Sequence, residues 1–286
     1  MPLVFIPTPL GNLRDVTLRA LDVLRDAQLL VAEDTRVARK LLHALGLEGR
    51  EIWSYREQNA ASVAPGILER ARHALVAVTT DAGMPGISDP GSELIVAARA
   101  AGVAVEVLPG PSAALGVAVL SGFPLRRFSF EGFPPRSPSA RRKAFERALR
   151  SGATSIWFES PQRIRATLED LESVAPAAAT FLVREYTKLH EEQLAGTPGE
   201  IAARLADPVR GEIAFAVAAV EDSDRPQPPA STDEAIDALL SQGRRVGEIA
   251  KELARRGCGE RRELYARATG RAKRAKGAGA PVPEPH

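Results

Sequence analysis

The segment Leu75-Val-Ala-Val-Thr79, followed after Thr80 by Asp81-Ala-Gly-Met-Pro-Gly-Ile-Ser-Asp-Pro-Gly91, indicates the fold of this chain. Its first part is a short apolar run typical of a buried strand, and its second part is a loop because glycine and proline dominate it. Glycine allows a positive φ and close backbone approach, proline fixes φ, and aspartate offers a carboxylate to an amine or a hydroxyl. This composition suits turns that enclose a small molecule, although a single loop of this kind is most often an ordinary turn.

The same pattern of strand-like run, loop and helix-period segment recurs from residue 3 to about 118. It predicts a parallel sheet with crossover helices, in which the loops after the strands meet at one edge, where ligands bind. We expect Asp15 to cap the first helix, and Gly46 and Gly102 to stand where helices end. The predicted strands are Leu3–Ile6, Gln28–Ala32, Leu75–Thr79 and Val103–Leu108, and the predicted helices are Val16–Ala27, Val37–Leu45, Ser62–Arg72 and Ser92–Ala101.

Beyond residue 120 the sequence predicts three further parts. Ser121-Gly-Phe-Pro-Leu125 interrupts the alternation, so we expect a first α/β domain over 1–120 and a second over 121–222. Proline density predicts a linker over 223–231, followed by a basic helical domain over 232–270 and a disordered tail over 271–286. The strands predicted for the second domain lie near Phe128–Glu131, Ser155–Glu159, Ala179–Arg184 and Glu212–Val220, and the C-terminal helices are Thr232–Ser241, Val246–Arg255 and Glu260–Thr269.

Composition and motifs exclude several classes of site. The single cysteine, Cys258, excludes a disulfide framework and a cysteine-based zinc cluster, and the four histidines lack zinc-ligand spacing. The Rossmann, P-loop and serine-hydrolase fingerprints are absent. The run Leu3–Ile6 is far shorter than the ~20 residues that span a bilayer, and it lacks the flanks of a secretory signal. We therefore expect a cytoplasmic protein with no metal site and no membrane contact.

The formal net charge of +2 hides two strongly basic regions. Residues 126–150 contain eight Lys/Arg and two Glu, and residues 243–276 contain twelve Lys/Arg and four Glu. Segregated positive charge suits binding to a polyanion, because phosphate neutralisation supplies most of the sequence-independent affinity for nucleic acid. Phenylalanines in the first region could stack on unpaired bases, although core packing is their more frequent role. The alternating residues are Arg126, Arg127, Phe128, Phe130, Phe133 and Arg136.

The loops after the predicted strands resemble those of the tetrapyrrole methylase superfamily. They are Pro7-Thr-Pro-Leu-Gly-Asn-Leu13, Ala32-Glu-Asp-Thr-Arg36, the 81–91 loop and Leu108-Pro-Gly-Pro-Ser-Ala113. Four more segments are similar to the branch of that superfamily that methylates the ribose 2'-hydroxyl of cytidine-1402 in 16S ribosomal RNA. They are Phe130-Glu-Gly-Phe-Pro-Pro-Arg136, Phe158-Glu-Ser-Pro-Gln-Arg163, Arg184-Glu-Tyr-Thr-Lys188 and Arg210-Gly-Glu212.

This resemblance implies a two-domain, non-Rossmann α/β methyltransferase fold with a small C-terminal helical domain. It implies S-adenosyl-L-methionine as the methyl donor, bound in the cleft between the two α/β domains. It also implies a homodimer that acts on 16S rRNA or on the small ribosomal subunit. The residues that it places against the donor are Leu10, Asp81, Gly83, Met84, Ile87, Ser112, Ala113 and Phe158.

Methylation of a ribose hydroxyl needs aligned reactants, a base for the hydroxyl proton and a cation for the developing alkoxide. Glu185 and Lys188, three residues apart in a charged segment after a predicted strand, are the candidates for these roles. Glu159 and Arg36 are further candidates. A surface ion pair is an equally good interpretation of Glu185 and Lys188.

Two other functions remain open at the level of the sequence. A methyltransferase acting on a precorrin-type tetrapyrrole would share the donor site but would not need the basic C-terminal helices. A non-catalytic RNA-binding protein would need the basic regions but not the glycine-rich loops. Donor binding measured without RNA separates the RNA-binding protein from the two methyltransferases.

Overall fold

The computed structural model describes residues 2–219, 232–255 and 258–277. The chain divides into two compact units, one within residues 1–220 and one within residues 221–286. The first unit contains two five-stranded sheets, and the second is helical. The linker predicted over 223–231 lies outside the described residues.

The first sheet is entirely parallel, with the strand order β3-β2-β4-β1-β5. Its three central strands are buried along their whole length, as expected for apolar strands covered on both faces by crossover helices. Because all five strands run the same way, the loops after them meet at one edge. The strands are β1 (Leu3–Ile6), β2 (Leu29–Ala32), β3 (Ile52–Ser54), β4 (Val76–Thr79) and β5 (Val105–Val107).

Helices of this half begin and end at residues that satisfy their free backbone groups. Thr17 caps α1, since its hydroxyl accepts a hydrogen bond from Ala20 N, 3.1 Å away. The prediction that Asp15 is this cap is wrong, because the chain first makes a short 3-10 turn that contains Asp15. Gly46 and Gly102 adopt positive φ just after α2 and α4, as predicted. The helices are α1 (Leu18–Asp26), α2 (Thr35–Ala44), α3 (Ala60–His73), α4 (Ser92–Ala100) and α5 (Ala113–Leu120).

The second sheet is mixed, with the order β6-β7-β10-β8-β9. β10 runs antiparallel to both neighbours, so its first residue, Ile213, lies opposite Glu159 at the end of β7 and Arg184 at the end of β8. This topology brings the ends of β7 and β8 and the start of β10 to one edge. The elements are β6 (Phe128–Gly132), α6 (Pro138–Ser151), β7 (Thr154–Glu159), α7 (Ile164–Val174), β8 (Thr180–Arg184), β9 (Glu192–Gly196), α8 (Pro198–Arg204) and β10 (Ile213–Val217).

The second unit has its own apolar core, in which Ile236, Ile249, Leu253 and Leu264 are buried. Its helices are α9 (Thr232–Ser241), α10 (Val246–Arg255) and α11 (Arg261–Gly277), which confirms the three helices predicted here. The helix α11 extends beyond residue 271, where the sequence predicts a disordered tail, while residues 278–286 lie outside the described part. Within that part, no helix combines the length and apolar character that crossing a membrane requires.

Candidate functional site

A cavity of about 440 Å³ lies within the first unit, where loops of the first sheet face the converging strand ends of the second. Its volume is within the range of pockets that hold a small molecule or cofactor, roughly 300–1,000 Å³. All eight residues predicted to contact the donor line this one cavity. They are Leu10, Asp81, Gly83, Met84, Ile87, Ser112, Ala113 and Phe158.

The loop after β4 is held against the loop after β1 by a pair of backbone hydrogen bonds. Thr8 N donates to Gly83 O at 2.9 Å, and Gly83 N donates to Thr8 O at 3.0 Å. Gly83 has φ +80°, and a Cβ there would lie 3.0 Å from Leu10 Cδ2. A side chain at position 83 would therefore be strained and crowded, which explains glycine at the centre of this wall.

One side of the cavity is acidic. Glu33, Asp81 and Asp89 line it around Thr80, whose hydroxyl donates to Glu33 Oε2 at 2.9 Å. Asp81 Oδ1 accepts a hydrogen bond from Asp34 N at 3.1 Å. Burial raises the pKa of Asp81, and burial together with the carboxylates of Glu33 and Asp81 raises the pKa of Asp89 to about 6. This wall is suited to an ammonium group or to sugar hydroxyls.

Another part of the lining is apolar and aromatic. Phe158 contacts the ring of Phe130 edge-on, with centroids 4.9 Å apart, and that of Phe133 in the same way at 5.8 Å. Phe133 and Phe158 both line the cavity, together with Leu10 and Ile87. An aromatic base or another flat apolar group would find favourable contacts here.

Glu159 and Arg36, two of the catalytic candidates, are already occupied by structural contacts. Glu159 lines the cavity, but its carboxylate is fully buried and accepts hydrogen bonds from Thr167 Oγ1 at 2.6 Å and Ser160 N at 2.8 Å. Arg36 is not among the lining residues, and its exposed guanidinium pairs with Asp34 at the start of α2. Both side chains therefore have structural partners within the protein, and their catalytic roles stay predictions.

Glu185 and Lys188 lie together just outside the cavity lining. Lys188 Nζ donates to Glu185 Oε1 at 2.9 Å and to Glu212 Oε2 at 2.8 Å, and Glu212 is a lining residue. The hydrogen bond from Glu212 N and the one from Lys188 lower the pKa of Glu185. Partial burial acts to lower the pKa of Lys188, but its bonds to Glu212 and Glu185 outweigh this and raise it. Lys188 is therefore a stable cation, and Glu185 is a weaker base than an ordinary carboxylate.

The lining residues that were not predicted as site residues include Glu33, Thr80, Asp89 and Tyr186. Glu33 and Asp89 belong to loops that the sequence singles out, so their position after a strand was the available signal. Tyr186 also lies in a segment that the sequence singles out after a strand, but only the backbone turn at 185–188 shows that its side chain, and not those of Glu185 and Lys188, lines the cavity. No cluster of three or more His, Cys, Asp or Glu able to hold a metal ion occurs among the described residues.

The basic region 126–150 is only partly available to a ligand. Arg141 is buried and bonds Asp170 Oδ2 through Nε at 2.7 Å, and Arg142 pairs with the other oxygen of Asp170 at 2.6 Å. Phe130 packs against Phe158, while Phe128 and Phe133 are about half exposed. The residues of this region that are exposed and form no ion pair with a described residue are Arg126, Arg127, Arg136 and Lys143.

Comparison with known proteins shows the family to which this chain belongs. Residues 2–202 match the family of Tetrapyrrole (Corrin/Porphyrin) Methylases. A crystal structure of diphthine synthase superposes with a TM-score of 0.59 at 15% identity, covering 76% of this chain and 90% of that one, which shows a shared fold. The predicted fold class is thereby confirmed.

Closer relatives carry the name Ribosomal RNA small subunit methyltransferase I. That of Halalkalibacterium halodurans is 35% identical over 92% of this chain and 93% of its own, and that of Thermotoga maritima is 39% identical over 69% and 89%. The relative from Mycobacterium tuberculosis is 38% identical over 90% and 91%. The chain therefore belongs to the tetrapyrrole methylase family and, within it, to the group that these relatives form. It is a methyltransferase, and the family implies S-adenosyl-L-methionine as its methyl donor.

Proposed function

We propose that this enzyme transfers a methyl group from S-adenosyl-L-methionine, bound in the cavity, to the 2'-hydroxyl of cytidine-1402 in 16S rRNA. The observation that carries the proposal is the convergence of all eight predicted donor-binding residues on one cavity of suitable size. The names of the relatives support ribosomal RNA of the small subunit as the substrate class.

The lining fits the methyl donor chemically. The donor has an ammonium group and ribose hydroxyls, which the carboxylates of Asp81 and Asp89 can bind. Its adenine is flat and largely apolar, matching the aromatic wall at Phe158 and the side chains of Leu10 and Ile87. The donor supplies an activated methyl group on a sulfonium, and the enzyme has to align it and exclude water.

The residues of this chain have separate tasks in such a transfer. The acidic loop and the aromatic wall hold the donor, while Tyr186 lines the cavity beside them. Lys188 supplies a permanent positive charge next to Glu212 at the cavity rim, where it can stabilise the negative charge that develops on the accepting oxygen as the hydroxyl proton passes to solvent water. Glu185 fixes the ammonium of Lys188 by a hydrogen bond at 2.9 Å.

Methylation assays with labelled donor test the proposal directly. Purified protein would be incubated with free 16S rRNA, with small ribosomal subunits and with a precorrin-type tetrapyrrole, and the labelled nucleotide would be mapped. We expect label on a cytidine ribose of 16S rRNA, in free RNA or in the subunit. Label only on the tetrapyrrole would contradict the RNA substrate, and no donor binding at all would favour a non-catalytic RNA-binding protein.

Asp81→Ala should weaken donor binding about ten- to hundredfold, because losing a charge-assisted hydrogen bond costs roughly 1.5–3 kcal/mol. Calorimetric titration with S-adenosyl-L-methionine in the absence of RNA measures this. Asp22→Ala is the matched control, since Asp22 is exposed and, among the described residues, forms its ion pair with Arg25 on the surface of α1. Equal donor affinity in the two variants would remove Asp81 from the donor site.

Donor affinity should fall as the pH is lowered through about 6. Asp89 is an acid whose pKa is raised to about 6, so it loses its charge below that pH and with it the attraction for the donor ammonium. The dissociation constant should rise by up to about tenfold per pH unit for one linked proton. Asp89→Asn should flatten this profile between pH 5 and 7. A wild-type profile that is flat over the same range would contradict the prediction.

The homodimer implied by the resemblance and the cytoplasmic location expected from the sequence stay predictions. Light scattering on the purified protein tests the first. Cys258 is exposed and unpaired, as a reducing compartment would allow.

A further inference from the structure

The segment 185–188, here called the β8–β9 turn, has an unusual backbone. Glu185 has φ +55° and Thr187 has φ +66°, in the left-handed region that residues other than glycine rarely adopt. Such conformations cost free energy and persist where surrounding contacts enforce them, often next to a functional site. The turn directs Tyr186 into the cavity, while Glu185 and Lys188 lie outside its lining.

Three glycines from separate parts of the first unit lie against this turn, and each leaves the space that one of its side chains fills. A Cβ at Gly116, in α5, would lie 2.5 Å from Tyr186 Cε1 and 2.6 Å from its hydroxyl. A Cβ at Gly11 would lie 2.2 Å from Lys188 Cγ, and one at Gly211 would lie 2.5 Å from Glu185 Cγ. Separations this short are not tolerated between carbon atoms, so any larger residue would displace the facing side chain.

An alanine would have a different effect at each of these three glycines. Neither Gly11 nor Gly116 has a positive φ, so an alanine there avoids the left-handed region and acts on the facing side chains, which are Tyr186 for Gly116 and Lys188 with Thr187 Oγ1, at 3.1 Å, for Gly11. Gly211 has φ +89°, where an alanine would also strain the backbone. Thr187 fixes the turn from the same side as Gly11, since its hydroxyl accepts a hydrogen bond from Asn12 N at 3.3 Å.

We infer that Gly11, Gly116 and Gly211 are positioning residues, which seat the β8–β9 turn so that its side chains meet the accepting nucleotide. This inference rests on the proposed function. Gly116 sets the ring of Tyr186 in the cavity wall, whereas Gly11 and Gly211 set the Lys188–Glu185 pair at the rim. Gly11 and Gly116 lie outside the cavity lining and act through these side chains, whereas Gly211 also lines the cavity.

Gly11→Ala and Gly116→Ala test the inference by single-turnover methylation at saturating donor and RNA. Each should lower the rate about ten- to hundredfold, since small displacements of aligned groups have effects of this size. Gly116→Ala should also weaken donor binding about tenfold through the displaced ring, whereas Gly11→Ala should leave it within about threefold. Melting temperatures should fall only modestly, because the displaced side chains of Tyr186 and Lys188 are partly exposed and alanine is a good helix former at position 116. Gly66→Ala, in α3, is the matched control, because its Cβ would meet only the edge of Trp53 at 3.2 Å.

Double variants separate positioning from a merely structural role. If Gly11 acts through Lys188, then Gly11→Ala should add almost nothing to the rate loss of Lys188→Ala, and Gly116→Ala should add almost nothing to that of Tyr186→Ala. Fully additive losses, or single-variant rates within about threefold of wild type, would overturn the inference. If the wild type methylates no RNA, the proposed function fails instead. In that case, weaker donor binding by Gly116→Ala than by Gly66→Ala would still support the positioning of Tyr186 by Gly116, and equal affinities would contradict it. If Gly116→Ala does not fold, Gly11→Ala alone decides.

Discussion

Replacing Lys188 by alanine should lower the single-turnover rate of RNA methylation about 10²–10³-fold, the usual effect of removing a group that stabilises a developing oxyanion. The reason is the environment of its ammonium, which is bonded to Glu185 and Glu212 and remains charged at neutral pH. Glu185→Gln should also slow the reaction, since it removes the charge that holds Lys188 in place. Rates would be followed with labelled donor and the RNA substrate identified above, at saturating concentrations of both.

Lys40→Ala is the control for this variant, because Lys40 is an exposed lysine on α2 with no ion pair to a described residue. Lys188→Arg keeps the charge but changes its geometry, so an intermediate rate is expected. If the Lys188–Glu185 pair is only a surface ion pair, its loss should cost at most ~1 kcal/mol of stability and spare the rate. A methylation rate of Lys188→Ala within threefold of the rate of Lys40→Ala would show that the pair is only a surface ion pair.

The first sheet illustrates what the sequence specifies well. β1, β2 and β4 are short apolar runs buried on both faces, so composition alone locates them and the loops that follow. The sequence pattern does not predict β3 and β9. Both are edge strands, and the sequence of β9, Glu-Gln-Leu-Ala-Gly, contains one large apolar side chain, because an edge strand has one neighbour and little apolar surface to bury.

The cavity-lining loops of the first sheet could be singled out from sequence because each follows a strand of one parallel sheet, which fixes their common edge, whereas the residues predicted to bind the donor came from the family resemblance. The role of the second sheet could not be derived in this way. Glu159, Tyr186 and Glu212 come from three elements, and their proximity depends on the antiparallel pairing of β10 with β7 and β8. The burial of Glu159 and the outward position of Glu185 depend on side-chain contacts that no spacing rule encodes.

Charge counted along the sequence also overstates what a ligand can reach. In region 126–150, Arg141 and Arg142 form ion pairs with Asp170. These pairs join α6 to α7 across 28 or more positions of sequence. In the C-terminal unit, Arg267 and Arg271 similarly pair with Asp233. The sequence identifies where positive charge is concentrated, but only packing shows which charges remain for a polyanion.

A chain that ends after Pro229 should bind the methyl donor normally but bind RNA about a hundredfold more weakly at 0.15 M salt. The removed unit has a separate apolar core, so its loss should leave the first unit folded. Within its described side chains, Arg245, Lys251, Arg261 and Arg262 are exposed and form no ion pair with a described residue. Each phosphate contact contributes about 0.7 to the salt slope with single-stranded nucleic acid, so the slope of log affinity against log salt should become shallower by about 3.

Two further variants test whether the exposed charges of the C-terminal unit, rather than its mere presence, are responsible for RNA binding. The double variant Arg261→Ala with Arg262→Ala should produce about half of the change in salt slope that the truncation produces, because it removes two of these four cations. Arg267→Ala is the control, since the guanidinium of Arg267 is engaged by Asp233 at 2.8 Å and is less available to phosphate. Fluorescence anisotropy with labelled RNA at several salt concentrations measures all three proteins. An unchanged affinity and slope after truncation would exclude the C-terminal unit from RNA binding and leave Arg126, Arg127, Arg136 and Lys143 as the surface to test.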